Sequence, residues 1–197
     1  MKTFVISDLH LGHANILRYS NRPYWTVEEM DSAIISEWNE VVEKGDIVYM
    51  LGDFCLGGIE MARGYFEQLN GNILVLNNRW HHDKRWLNYM NCALYDTKTR
   101  ERVDAKNGMV LVVSPIQVIE KDVGESHPEV TVLCHYPFES WDRSHYGSTH
   151  LFGHIHSKEG YVKGSHRLDV GVDNLLHMFN SPAPIEIDYA NYIMRSE

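Results

Sequence analysis

The sequence predicts a mixed α/β fold in which short buried strands alternate with helices through the first half of the chain. Two observations support this prediction. Runs of three to five apolar residues, rich in Val, Ile and Leu, recur along the chain and are typical of buried strands. Between the early runs, apolar residues recur at helical spacing, and such alternation favours a parallel sheet covered by helices.

The first half contains three predicted strands, over residues 2–6, 47–51 and 73–76. Thr26 and Glu29 form a capping-box pattern, which predicts that a helix begins there. The apolar face of this helix comprises Met30, Ile34, Ile35, Trp38 and Val41 or Val42. Further helices are predicted over residues 60–69 and 84–90, whereas residues 8–25 form a loop.

The second half is richer in strands, which are predicted over residues 110–113, 117–119, 130–134, 150–152 and 168–172. We interpret residues 97–129 as a hairpin region and expect this region and the loop 136–149 to shape substrate specificity. Pro182 and Pro184 interrupt the chain before a terminal segment that is helical at best.

Composition favours one domain over residues 1–197, because 44% of the residues are hydrophobic. The formal net charge of −9 argues against the basic face of a general nucleic-acid binder, so we expect no stable non-specific nucleic-acid binding. The three cysteines are widely spaced, as in proteins that keep their thiols reduced. With no apolar stretch of membrane-spanning length and no visible signal peptide, we expect a cytoplasmic protein; the oligomeric state stays open.

Seven side chains that suit divalent metals follow the ends of predicted strands. They are Asp8, His10, Asp53, Asn78, His135, His154 and His156. Because ligands of α/β proteins gather beyond the carboxyl ends of the strands, we expect these side chains to converge. Carboxylate, amide and imidazole groups suit a pair of divalent metals, and such pairs commonly serve phosphate ester chemistry.

The order of these motifs resembles the calcineurin-like metallophosphoesterase family. The motifs are Asp8-Leu9-His10, Gly52-Asp53, Asn77-Asn78, His135 and Gly153-His154-Ile155-His156. The resemblance covers residues 8–156 and is strongest to compact bacterial and phage-encoded members. It implies an αββα sandwich of two mixed β-sheets flanked by helices, with the site at the strand ends.

The resemblance also implies how two metals are held. One metal would be bound by Asp8, His10, Asp53 and His156, and the other by Asp53, Asn78, His135 and His154. Asp53 would bridge the two, and we expect Mn, with Fe, Ni or Zn as alternatives. The implied activity is hydrolysis of a small phosphoester or nucleotide, chiefly a diester, by in-line attack of a metal-bridging hydroxide. The alternative is a catalytically degenerate metal-binding module for protein interaction on the same fold.

One motif departs from the family pattern Gly-Asn-His-Asp. If Asn78 is the ligand, Arg79 stands where the family has a histidine that acts on the leaving group. Arg79 can hold phosphate oxygens but cannot donate a proton, so His82 or His81 is the predicted proton donor. In an alternative register His81 replaces the ligand asparagine, and Asn78 is a plain loop residue.

Two residues of the first loop, Asn15 and Arg22, are predicted to contact the substrate. A solvated loop is the alternative for both.

Overall fold

The computed structural model describes residues 1–78, 82–87, 92–124 and 126–195 of the chain. Within these residues the protein is a mixed α/β fold with two mixed sheets and five α-helices. The predicted class is therefore confirmed at this level.

The first sheet has a parallel centre and antiparallel edges, in the order β10-β1-β2-β3-β5-β4. Its parallel strands are β1 (Thr3–Ile6), β2 (Ile47–Met50), β3 (Asn72–Leu76) and β5 (Val110–Val113). The antiparallel edge strands are β4 (Cys92–Ala93) and β10 (Ile185–Glu186). Strand β10 falls in the terminal segment, where no strand was predicted.

The second sheet has the order β6-β7-β8-β9, with β7, β8 and β9 parallel and β6 antiparallel to β7. These strands are β6 (Ile116–Lys121), β7 (Glu129–Cys134), β8 (Thr149–Phe152) and β9 (Arg167–Asp169). Residues 97–129 were predicted to be one hairpin region, and this is wrong because they contribute strands to both sheets. The chain passes from the first sheet to the second at Ser114 and Pro115, and β6 pairs with β7 instead of β5.

The helices are α1 (Ile16–Tyr19), α2 (Val27–Val41), α3 (Ile59–Phe66), α4 (Val172–Phe179) and α5 (Ile187–Arg195). Thr26 caps α2 as predicted, because its hydroxyl accepts a hydrogen bond from Glu29 N–H at 3.1 Å. The helix predicted over 84–90 is a short 3₁₀ turn, His82–Arg85, and residues 88–90 lie outside the described part of the chain. Helices α1 and α4 were not predicted, and α1 lies within residues 8–25, which were predicted to form a loop.

Buried side chains from both sheets and from all five described helices belong to one hydrophobic cluster. Val5, Ile73 and Val112 enter it from the first sheet, and Leu133 and Leu151 enter it from the second. The ends of the two sheets are thereby held in a fixed relation. No helix within the described residues is long and apolar enough to cross a membrane.

Candidate metal centre

The carboxyl ends of β1, β2, β7 and β8 meet at one place, and Asp53 lies at its middle. Asp53 Oδ2 is 3.7 Å from His10 Nε2, which follows β1, and 3.7 Å from His135 Nε2, which follows β7. A carboxylate at the end of the first sheet is thus shared by imidazoles from both sheets.

Six of the seven predicted metal ligands form two clusters around this point. In each cluster the candidate ligand atoms lie within 4.8 Å of one another. The first cluster is Asp8, His10 and His156, and the second is Asp53, His135 and His154. In the first, Asp8 Oδ1 is 4.0 Å from His10 Nε2 and 3.9 Å from His156 Nε2.

The backbone that carries these side chains is strained. Among the described residues, ten non-glycine residues have positive φ, and five of them are predicted ligands. These five are Asp8 (59°), His10 (54°), Asp53 (54°), His154 (75°) and His156 (50°). Such conformations cost on the order of 1–3 kcal/mol each and persist where the surrounding structure enforces them, often at functional sites. Here Asp8 N–H donates to the Gly52 carbonyl at 3.0 Å, and His10 N–H donates to the Asp53 carbonyl at 2.9 Å.

Gly52 allows Asn78 and His135 to approach Asp53. A Cβ at position 52 would lie 2.8 Å from Asn78 Nδ2 and 2.8 Å from His135 Nδ1, and Gly52 has a φ of 155°. The buried Asn78 amide donates from Nδ2 to the carbonyl of Leu51. This hydrogen bond leaves Oδ1 as the atom that a cation would bind, and Asn78 stays a predicted ligand.

Three of the candidate ligand histidines are oriented through their other ring nitrogen, Nδ1. His135 Nδ1 is 3.2 Å from Ser7 Oγ, and His10 Nδ1 is 3.4 Å from His13 Nδ1. His156 Nδ1 is 2.6 Å from Asp173 Oδ2. Contacts of this kind fix the tautomer and leave the Nε2 lone pair for a metal. Burial opposes a charge on His156, but the hydrogen bond to Asp173 and the negative charges of Asp8 and Asp173 together outweigh it, so the pKa of His156 is raised.

The donor set fits a divalent metal. Asp8 Oδ1 and His10 Nε2 are buried and have no hydrogen-bond partner among the described residues, although buried polar atoms are normally paired. Burial raises the pKa of Asp8 to about 7 and lowers the pKa of His10 well below its ordinary value. A cation beside these atoms would supply the missing partner and favour the ionised carboxylate.

Of the predicted catalytic residues, His82 lies beside the clusters, while Arg79 and His81 fall outside the described residues. The half-buried His82 ring is 5.3 Å from the His10 ring. One ring nitrogen of His82 lies within 4.8 Å of candidate ligand atoms of both His10 and Asp53. The next residue, Asp83, is fully buried and accepts a hydrogen bond from Phe54 N–H at 3.0 Å. Burial raises the pKa of Asp83 to about 8. Asp83 therefore holds the turn that presents Asp53.

The predicted substrate contact at Arg22 is wrong. The Arg22 side chain is buried, and its guanidinium bonds Asp173 and the backbone carbonyls of Asp8 and Leu9. Asn15 is exposed at the start of α1 and stays a predicted contact.

Sequence reasoning missed four residues that support the site: Ser7, His13, Asp83 and Asp173. His13 lies three positions after His10 and its N–H donates to the His10 carbonyl at 3.1 Å, so the spacing was a usable signal. Asp173 is far from the motifs in sequence and gave no local signal.

The site is open to solvent on one side. His154 is exposed, His156 is half-buried, and the Tyr136 ring packs 4.9 Å from the His154 ring. A separate cleft of about 920 Å³ lies at the other end of β7, near Glu129, Arg143 and Arg195. It contains none of the predicted ligands.

Comparisons with known proteins bear on the fold. No family model matches the chain. An uncharacterized protein of Methanocaldococcus jannaschii is 48% identical over 85 residues, which are 42% of this chain and 47% of that protein. The match thus spans about half the length of that relative. The gene 66 protein of Mycobacterium phage D29 is 26% identical over 183 residues, covering 85% of each chain. The crystal structure of a protein of unknown function from Aquifex aeolicus covers 98% of both chains with a TM-score of 0.61 and 16% identity. This last likeness shows a similar fold alone.

Proposed function

We propose that the protein is a dinuclear metal-dependent phosphoesterase, chiefly a phosphodiesterase, on a calcineurin-like αββα sandwich. One observation carries the proposal: Asp53 Oδ2 is 3.7 Å from both His10 Nε2 and His135 Nε2, and each histidine belongs to its own cluster. A carboxylate in that position can contact two cations at once, and the metals of two-metal hydrolases lie about 3.5–4 Å apart.

The composition of the ligand set favours phosphate ester chemistry. Imidazole, carboxylate and amide donors without a thiolate suit Mn, Fe, Ni or Zn. Two such cations neutralise charge on phosphate oxygens and provide a nucleophile from water near neutral pH. The order of the motifs along the chain, which resembles the calcineurin-like family, distinguishes this proposal from other two-metal hydrolases.

The side chains of the protein have separate tasks in this proposal. Asp8, His10 and His156 would hold one cation, while His135 and His154 would hold the other together with the predicted ligand Asn78, and Asp53 would be shared by both. His10, His135 and His156 are oriented by the contacts at Nδ1, which limits the rearrangement that the reaction requires. His82 provides the proton that the leaving alkoxide oxygen needs, because Arg79, which stands at the family's histidine position, cannot give up a proton. No covalent link between enzyme and substrate is required.

The open side favours a small phosphoester or nucleotide as the substrate. The exposed His154 and the adjoining Tyr136 leave this side of the clusters accessible. The alternative, a catalytically degenerate module, was suggested by the missing histidine directly after Asn78. The ring of His82 lies 5.3 Å from the ring of His10 and can take the place of that histidine, so this alternative is less favoured.

Turnover of bis(p-nitrophenyl) phosphate and of p-nitrophenyl phosphate with Mn²⁺ tests the proposal. We expect wild-type activity, chiefly on the diester, and a fall to near background in Asp53→Asn. Asp46→Asn is the matched control, because Asp46 is also buried and accepts hydrogen bonds from the Lys2 and Glu43 N–H groups. It precedes β2, at the opposite end of the strand from Asp53. Undiminished turnover in Asp53→Asn, or none in wild type with Mn, Fe, Ni or Zn, would overturn the proposal.

A further inference from the structure

A buried chain of charged groups connects the first loop to His156. Arg22 Nε donates to Asp173 Oδ1 at 3.1 Å, and Arg22 Nη2 donates to Asp173 Oδ2 at 3.1 Å. Asp173 Oδ2 lies 2.6 Å from His156 Nδ1. His156 Nε2 in turn faces Asp8 Oδ1 at 3.9 Å, in the first metal cluster.

Every N–H of the Arg22 guanidinium is engaged inside the protein. Besides Asp173, the group donates to the carbonyls of Asp8 (2.6 Å) and Leu9 (2.8 Å) and approaches Met30 Sδ at 3.3 Å. The side chains of Arg22 and Asp173 are 0% and 1% exposed. Arg22 therefore has no donor left for a substrate and acts on the residues around it.

Stability alone does not account for this pair. Desolvation of a buried ion pair largely offsets its attraction, and well-packed apolar side chains often serve the fold as well. The distinguishing feature is the imidazole of His156 at the end of the pair. A carboxylate that accepts a hydrogen bond from Nδ1 orients the ring and makes Nε2 a better metal ligand.

We propose that Asp173, held by Arg22, is a positioning residue that orients and polarises His156 for one of the two metal positions. The proposal rests on the metal centre of the proposed function, but not on its hydrolytic activity. Asp173 contacts His156 of the first cluster, whereas Ser7 contacts His135 of the second. The two metal positions therefore have separate supports, and each should be weakened by its own variant.

Substitution by asparagine removes what Asp173 supplies while keeping its shape. In the aspartate, one oxygen faces Arg22 Nε and the other faces His156 Nδ1. An asparagine has only one acceptor oxygen, so its NH₂ group would face one of these two donors. Losing such a partner typically weakens metal binding about 10–100-fold. We expect Asp173→Asn to weaken one of the two Mn²⁺ dissociation constants by this factor and to leave the other unchanged.

Equilibrium dialysis of each protein against Mn²⁺, with metal analysis, measures both dissociation constants without reference to activity. Wild type and the Asp46→Asn control should bind two ions with the same constants. Ser7→Ala should weaken the constant that Asp173→Asn leaves unchanged, and the double variant should show both losses. Arg22→Lys should weaken the same ion as Asp173→Asn, because Arg22 bonds both Asp173 and the backbone carbonyl of Asp8 in the first cluster.

The outcomes separate this inference from the proposed function. A wild type that binds no Mn²⁺ removes the metal centre and both proposals with it. Two ions bound equally well by wild type and Asp173→Asn would refute the positioning role alone. If Asp173→Asn does not fold, Arg22→Lys decides in the same way. Equal weakening of both ions would also contradict the inference, because it would indicate general damage instead of support for His156.

Discussion

Replacing Gly153 by alanine should damage the proposed metal centre, because the added methyl group would clash with Asp8 and Ser7. A Cβ at position 153 would lie 2.2 Å from Asp8 Oδ2 and 2.3 Å from Ser7 Oγ. Ordinary contacts begin near 3.4 Å, so Asp8 must move by about 1 Å. It is confined, because its Oδ2 accepts a hydrogen bond from His154 N–H at 2.9 Å and Gly171 approaches from another side.

Overpacking of this kind costs about 1–3 kcal/mol, and for a chain of this length each kcal/mol corresponds to about 2–4 °C in unfolding temperature. We therefore expect metal-free Gly153→Ala to unfold about 2–12 °C below wild type. Because metal–ligand distances tolerate about 0.2 Å, the displaced Asp8 should also lose the ion of the first cluster.

Gly64→Ala provides the matched control for this experiment. Gly64 lies within α3, and nothing lies within 4 Å of an added Cβ. Alanine there should stabilise the helix by roughly 0.5–1 kcal/mol and leave metal binding unchanged. Thermal unfolding followed by circular dichroism and Mn²⁺ dialysis measure both effects. A Gly153→Ala protein that unfolds at the wild-type temperature and binds two ions would show that the added methyl group does not displace Asp8.

Three other outcomes are expected. His82→Ala should lower kcat by about 10²- to 10⁴-fold while two Mn²⁺ ions stay bound. The control His127→Ala, which lies on an exposed segment, should have the kcat of wild type. Loss of bound metal in His82→Ala would indicate that His82 is a metal ligand instead of a proton donor. When the free Mn²⁺ concentration is 100 times the dissociation constant of a site, removing the metal with a chelator should lower the unfolding temperature by about 5–10 °C for that site. Adding Mn²⁺ back should restore the unfolding temperature. An unfolding temperature that does not change on chelation would contradict a metal centre. The Nδ1 atom of His150 contacts the Val132 carbonyl, and its Nε2 atom accepts a hydrogen bond from Phe138 N–H. Burial lowers the pKa of His150 in the folded protein. The unfolded state therefore binds more protons, and the free energy of unfolding falls as the pH drops below about 6.5. In urea unfolding of metal-free protein, the stability advantage of wild type over His150→Phe should narrow between pH 7.5 and pH 5.5, and a constant difference would contradict this assignment.

The strand ends were predictable because their signals are local. Gly52-Asp53 directly follows β2, and His135 directly follows β7, so a buried apolar run and the polar residue after it located both. The parallel strands gather such residues at one edge of each sheet, and the hydrophobic core shared by the two sheets brings the two edges together.

Pairing between strands was less accessible to sequence reasoning. Val110–Val113 and Ile116–Lys121 are separated by two residues, which gives the same pattern whether the strands pair or enter different sheets. The helix predicted over 84–90 failed for a related reason. The Asp83 carboxylate bonds to Phe54 N–H, a long-range contact that holds a 3₁₀ turn there and that helical spacing does not reveal.

Support for the ligands was hardest to predict, because it depends on contacts between distant segments. Asp173 is separated from Arg22 by 151 positions and looks in sequence like any acidic residue in the first turn of a helix. Arg22 looked like a phosphate contact because a loop arginine near a site usually faces solvent. Only the folded arrangement shows that its donors are already engaged.

Anomalous diffraction from a crystal grown with Mn²⁺ would show directly whether two metal ions share Asp53. Two anomalous peaks about 3.5–4 Å apart are expected. Both should lie beside Asp53, one near His10 and His156 and the other near His135 and His154. A single peak, or two peaks of which either lies away from Asp53, would show that Asp53 does not bridge a pair of metals.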